Sequence, residues 1–230
     1  MAAMYAVYHG PSGLKRIAGR VHLFTQLLKA KIESLGFQVV NGAAFFDTLT
    51  VRVGSTAGDV ENVHRVAGDA GINLRRVDGE CVGVTLDESV TPSDLVDLIN
   101  VFAAAAGSAF ISLPPLDTPI GVSPNFPLIL SRRSEYLSHP VFNTHHSETE
   151  MLRYLNHLQG KDLSLVHAMI PLGSCTMKLN GTSNMIPLTW PEFARVHPFV
   201  PVEQAKGYSR IIKVGRFICN VRVNQPTIWG

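Results

Sequence analysis

The chain has 230 residues, of which 46% are hydrophobic and 17% charged, with a formal net charge of +2. That length fits one large domain or two small ones, and the composition is ordinary for a globular protein. A near-neutral balance gives no electrostatic case for DNA, RNA or an acidic membrane surface. Three cysteines, Cys81, Cys175 and Cys219, are odd in number and widely spaced. They argue against a disulfide framework and fit a reducing compartment, and no pair has zinc-type C-x-x-C spacing. No run of 18 apolar residues occurs, so no transmembrane helix is expected.

The opening "MAAMYAVYHG" has no basic n-region and no Arg-rich presequence. It reads like the middle of a buried helix, so Met1 is expected to be an internal methionine of a longer protein. From Pro11 to Gly36 a long helix is expected. Leu14, Ile17, Val21, Phe24, Leu28, Ile32 and Leu35 recur at steps of three and four, Pro11 suits the first turn, and Gly36 suits the position after the cap. "AFFDTLTVRVG" reads as a strand with Phe45, Leu49, Val51 and Val53 on one face. "STAGDVENVHRVAGDAG" reads as a short helix whose apolar side is Val60, Val63 and Ala67 and which Gly71 ends. Ile72 and Leu74, an Asp78-Gly79 turn, then Val82, Val84 and Leu86 read as a hairpin. "TPSDLVDLINVFAAAAG" reads as a helix with Thr91 as cap, Pro92 at the first position and Asp94 three residues after the cap. The first 107 residues thus predict helices on one face of a small antiparallel sheet, an α+β domain within an α/β class.

From Ser108 to Pro140 six prolines and little periodicity suggest a linker or an extended crossing segment. A helix is expected from Ser147, where Ser147 and Glu150 form a capping box ahead of Met151, Leu155 and Leu158. "DLSLVHAMIPLG" is a short apolar run, and Thr189 with Glu192 forms a second capping box before "EFARVHPF".

Three constellations carry candidate chemistry. "NTHHSETE" holds His145, His146, Ser147 and Glu148, and its adjacent histidines just before a helix could bind a metal or a phosphate. The plainer reading is preferred, a polar cap with local hydrogen bonds, because consecutive histidines seldom aim at one metal. In "MIPLGSCTMKLNG", Ser174, Cys175, Thr176, Lys178 and Asn180 crowd into seven positions. Cys175 could be a thiolate nucleophile and Lys178 a Schiff-base amine, but no activating base and no desolvated pocket is evident around either. Asp47 in "FFD" could meet a pyridinium nitrogen, and is more simply a strand residue on the solvent face. A metal site from His139, His145, His146 and Cys175 is a remote third reading. The phosphate-loop, dinucleotide, zinc-protease and nucleophile-elbow motifs are missing.

The strings "MAAMYAVYHGPSGLKRIA", "FFDTLTV", "GVTLDE", "VFNTHHSETEMLRYL", "KDLSLVHAMIPLGSCTMKLN" and "EFARVHPFVPVEQAKGY" resemble glycine decarboxylase, the pyridoxal-phosphate P-protein of the glycine cleavage system, from Met1 to about Lys213 and in that family's order. The resemblance implies a fragment of a fold-type-I pyridoxal-phosphate transferase made of two homologous halves. Residues 1–107 would be the end of the first half, its last large-domain helix and its small domain. Residues 108–140 would join the halves, 141–213 would open the cofactor-bearing half, and 214–230 would be a tail foreign to the family.

The activity so implied is oxidoreductase chemistry, glycine decarboxylation with aminomethyl transfer to the lipoyl arm of the H-protein. Implied partners are that H-protein, the T-protein and L-protein, and a P-protein homodimer or paired halves. Glycine is the substrate, and no nucleic acid or membrane is involved. The location would be the mitochondrion in a eukaryote and the cytoplasm otherwise.

None of the seven lysines stands between a His and a glycine-rich stretch, as the family's cofactor lysine does. No catalytic residue, covalent cofactor binding or activity is therefore expected of this chain alone, and no metal site. Ser174, Cys175, Thr176, Lys178, Asn180, His145, His146 and Ser147 would border the substrate pocket. "VGRFICNVRVNQPTIWG" shows no helical stripe and no capping, and is expected to be translated intron or a misdrawn gene boundary. The alternative to a glycine decarboxylase subunit is a non-catalytic, aberrant product.

Overall fold

The computed structural model describes residues 1–42, 44–111, 128–162 and 181–223. Two compact units divide at Ser164 and Leu165.

In the first unit, helix α1 spans Ala2–Ser34 and is broken at Gly10, whose backbone leaves the helical region with φ 62° and ψ −179°. The sequence explains the break. Pro11 has no N–H to donate to the carbonyl of Val7, and Gly10 accepts a positive φ that a Cβ would resist. Pro11 opens the second, longer stretch, as its pre-set φ favours. At the far end Gly36 takes φ 91°. The N–H of Gly36 reaches Glu33 O at 3.1 Å and that of Phe37 reaches Ile32 O at 3.3 Å, the paired bonds that close a helix over its own last carbonyls.

Strands β1 (Gln38–Val39), β2 (Thr48–Arg52), β3 (Arg75–Arg76) and β4 (Cys81–Thr85) form an antiparallel sheet in the order β1-β2-β4-β3. Helix α2 (Ala57–Asp69) lies between β2 and β3, and α3 (Pro92–Ala105) follows β4. Leu49 pairs with Val84 and Val51 with Val82, so one sheet face is continuous apolar surface. Phe24, Leu28 and Ile32 of α1, Val60 and Val63 of α2, and Leu95, Ile99 and Phe102 of α3 join it in one buried cluster. Each such side chain taken from water contributes about 1.5–3 kcal/mol. The fold is mixed α/β with the helices gathered on one face of a small antiparallel sheet, as the periodicities predict.

Two helix starts were legible to the residue, those at Thr91 and Ser147. Thr91 accepts from Asp94 N at 3.2 Å while its own N–H reaches Asp94 Oδ2 at 2.8 Å, the expected reciprocal cap. Thr56 and Asp59 do the same for α2. Ser147 caps helix α4 (Glu148–Gln159), taking Glu150 N at 3.2 Å. Here the box is filled differently from the expectation, because Glu150 Oε1 takes Arg153 Nη1 at 2.9 Å.

Other expectations are corrected. The strand expected from Ala44 is shorter, and Asp47 sits just before β2, half-buried rather than on a solvent face. Its carbonyl takes Leu86 N at 3.0 Å and its carboxylate takes Thr48 Oγ1 at 2.9 Å. Strand β1 goes unseen in the sequence, since two residues are too few to show a period.

In the second unit, the described elements are α5 (Thr182–Met185), a 3-10 turn at Ile186–Thr189, α6 (Pro191–Ala194), a 3-10 turn at Val202–Gln204 and α7 (Lys206–Val223). Thr189 does not cap α6. Its hydroxyl turns back to Ile186 O at 2.7 Å, and Trp190 takes the cap position with Pro191 behind it. Helix α7 runs through Val214 to Val223 without interruption, against the expectation that no helix extends there. Once a helix is nucleated each further residue adds one bond at small cost, so an amphipathic stripe is not required for it to continue. Tyr208 Oη donates to Phe193 O at 2.7 Å, and the two rings meet edge to face at 5.8 Å.

Candidate functional site

Of the eight residues expected at a pocket rim, Ser174, Cys175, Thr176, Lys178 and Asn180 lie outside the described residues. The run "DLSLVHAMIPLG" also lies there except for Asp162. His145, His146 and Ser147 are described, and they form the corner that leads into α4.

The three side chains of this corner have separate tasks. Ser147 is committed to its cap. His145 stacks on Tyr154, ring centroids 4.3 Å apart and planes 14° from parallel. His146 turns the other way, its Nδ1 2.7 Å from Tyr8 O in α1. A carbonyl only accepts, so Nδ1 carries the proton and the bond fixes that tautomer. The Nδ1 of His145 is buried with no hydrogen-bond partner among the described residues, which leaves one polar group of the corner unsatisfied.

This corner fits closely against the break in α1. A Cβ at Gly10 would come within 2.7 Å of both His146 Cε1 and Phe142 O. The residues between the Pro-rich segment and α4 thus lie against backbone that only glycine leaves open. Tyr136 adds a second tie, its hydroxyl donating to Pro11 O at 2.7 Å. Between these ties a 3-10 turn spans Pro140–Asn143, with His139 Nδ1 taking Val141 N at 3.2 Å. The importance of Gly10, Tyr8 and Tyr136 was missed from the sequence. The available signal was "HGPSG", a Gly-Pro pair inside an otherwise apolar helical run.

The electrostatics of the corner limit what it can hold. Glu148 and Glu150 occupy the first turn of α4, where the helix dipole favours negative charge, and their carboxylates oppose a phosphate there. The Nδ1 atoms of His139 and His146 are each engaged with backbone. Among the described residues no group of three His, Cys, Asp or Glu side chains is close enough to share a metal ion.

Beside the corner runs an open groove of about 1010 Å³ between α1 residues such as Leu14, Lys15 and Ala18 and the segment Leu130–Ser138. Arg132 lies over the Tyr136 ring, 5.0 Å from its centroid. The cations of the groove, Lys15, Arg132 and Arg133, are all exposed.

Pyridoxal phosphate calls for a desolvated lysine amine, because burial is what makes the amine nucleophilic. Lys15, Lys29, Lys31, Lys161, Lys206 and Lys213 are the described lysines, and none is buried. Lys29 is held in an ion pair with Glu33 at 2.8 Å. The described residues therefore do not fit covalent attachment of that cofactor.

A helix-covered antiparallel sheet, joined through a broken helix to the start of a further helical region, makes this an α/β protein in which two stretches of chain share one elbow. Residues 1–102 match the family of the glycine cleavage system P-protein. The match takes in α1, all four strands and α2, and ends inside α3. Among the described residues no helix is long and apolar enough to cross a membrane.

Proposed function

We propose that this chain is part of a glycine decarboxylase, the pyridoxal-phosphate enzyme that removes carbon dioxide from glycine and passes the aminomethyl group to the lipoyl arm of an H-protein. The observation that carries the reading is the family match over residues 1–102, whose end falls within α3, the last helix of the sheet core. In this reading residues 1–107 close the first half of the enzyme. Residues 108–140 cross to the second half, 141–213 open it, and 214–230 are foreign to it. The loop with Ser174, Cys175, Thr176, Lys178 and Asn180 and the corner with His145, His146 and Ser147 border the glycine pocket, where they hold the carboxylate or guide the lipoyl arm. The T-protein and L-protein are its further partners, and in a eukaryote it works in the mitochondrion.

These 230 residues alone hold the rim of the pocket and not its chemical centre, and they neither form the cofactor aldimine nor exchange the glycine carboxyl. The purified chain is incubated with pyridoxal phosphate, reduced with borohydride and digested, and separately assayed for exchange of labelled bicarbonate into glycine with lipoylated H-protein. No pyridoxyl-lysine and no exchange are expected, and a labelled lysine peptide would overturn the reading of the chain as incomplete. The family assignment has its own test. Genomic DNA flanking the gene is expected to encode the remaining P-protein residues in frame, and its failure to do so would leave a non-catalytic product.

A further inference from the structure

We propose that the break at Gly10-Pro11 is one half of a conformational latch, with Tyr136 and His146 as the other half, and that the latch sets the position of the His145–Ser147 corner. The bonds join residues far apart in the chain. Tyr136 meets Pro11 across 125 positions and His146 meets Tyr8 across 138. Local structure does not bring such pairs together, and their formation must offset the entropy of closing a long loop.

Sequence dictates the receptor side. Pro11 withholds an N–H and Gly10 turns to φ 62°, so backbone is bared in the middle of a helix that would otherwise satisfy itself. The absence of a Cβ at Gly10 lets Phe142 O and the His146 ring approach as closely as they do. The strap side is specified as well. His146 offers Nδ1–H and Tyr136 offers its hydroxyl, one to each side of the break. The strap then runs directly into Ser147 and the first turn of α4. A displacement at Gly10 is therefore transmitted to the helix that carries Tyr154, on which His145 stacks. Gly10, Tyr136 and His146 are positioning residues for the corner, whatever reaction the corner serves, so the latch stands or falls separately from the glycine decarboxylase reading.

Amide exchange by NMR on the whole chain tests it, with Gly10→Ala, Tyr136→Phe, His146→Ala and His146→Asn. The amides of Phe142, Glu150 and Met151 report on the strap and the start of α4, and that of Leu86 reports on the sheet. Loss of one latch bond is expected to speed exchange at the strap amides about tenfold in Tyr136→Phe and His146→Ala, with Leu86 unchanged. His146→Asn, whose amide nitrogen replaces Nδ1, is expected to restore protection. The His146 ring is expected to show the Nδ1–H form in the wild type and to lose that preference in Gly10→Ala. If Gly10→Ala fails to fold, the Tyr136 and His146 variants decide alone. A wild-type His146 protonated on Nε2 only, or strap exchange unmoved in Tyr136→Phe and His146→Ala, overturns the proposal.

Discussion

Arg20 Nη2 donates to Val90 O at 2.7 Å while Nη1 donates to Glu88 O at 3.1 Å, and the same guanidinium lies 4.9 Å from the centre of the Phe24 ring. One planar fork thus ties α1 to the two carbonyls that lead into α3 and also packs on a core aromatic. A lysine carries the same charge but not the fork, and its ammonium stacks less well. Arg20→Lys is expected to destabilise the first unit by about 1.5 kcal/mol. A shift in the urea midpoint at unchanged slope checks it, and a change below a few tenths would show that the fork is dispensable.

His64 on α2 is expected to make stability depend on pH. Its Nε2 is buried without a partner among the described residues. Burial and, next, the positive Arg76 push its pKa below the ordinary 6.5, and Glu61 opposes them in part. Above 6.5 neither the folded nor the unfolded chain binds this proton, and the folded state is undisturbed. As pH falls through 6.5 the unfolded chain takes up the proton first, so stability declines and levels off only below the folded value. Denaturant midpoints across pH 5 to 8 are expected to show this decline in the wild type and a flatter line in His64→Gln. Equal slopes in the two proteins would assign the pH dependence elsewhere.

The sequence made most of the sheet core legible because its residues obey one period each. Leu28 and Ile32 fall on a helical stripe, and Leu49 and Val51 alternate, so both pairs are fully buried as expected. The elbow was not legible in the same way. Tyr8, Gly10, Tyr136 and His146 meet through backbone carbonyls, and a carbonyl looks the same at every position of a sequence. Only the Gly-Pro pair hints that one is bared. The caps show a similar boundary. Thr91 and Asp94 use local geometry alone and are readable. Thr189 had the right spacing to Glu192 but lies inside a 3-10 turn that spacing does not reveal.

The hairpin turn between β3 and β4 couples a carboxylate to a thiol. Asp78 Oδ1 takes the N–H of Glu80 at 2.8 Å and of Cys81 at 2.7 Å. The Glu80 N–H, first among these, holds the Asp78 carboxyl below its ordinary 3.8. Burial, with the Asp78 charge second, pushes the Cys81 thiol up from its ordinary value. Cys81 is expected to resist alkylation at pH 8 in the folded protein and to react at the rate of an ordinary thiol in denaturant. Peptide-resolved mass spectrometry separates it from Cys175 and Cys219. Asp78→Asn keeps an acceptor oxygen and removes the charge, so it is expected to leave the hairpin folded with Cys81 still protected, because burial is the larger cause. Rapid native labelling of Cys81 would mean that the hairpin opens readily.

Two glycines of α1 and its end are expected to respond to the same substitution with opposite signs. Gly19 lies within the helix with open space where a Cβ would stand. Gly36 also has open space, but its φ is 91°, where an L side chain is strained. At Gly19 an alanine removes freedom only from the unfolded chain, and Gly19→Ala is expected to stabilise by about 0.5–1 kcal/mol. At Gly36 the added methyl meets nothing, so any cost is conformational, and Gly36→Ala is expected to destabilise by about 1–2 kcal/mol. Asparagine tolerates the left-handed region better than alanine, so Gly36→Asn is expected to fall between the wild type and Gly36→Ala. Thermal or urea unfolding of the three variants gives the order directly. If Gly36→Ala matched Gly19→Ala in sign, the helix would not end on the bonds from Gly36 and Phe37 to Glu33 and Ile32.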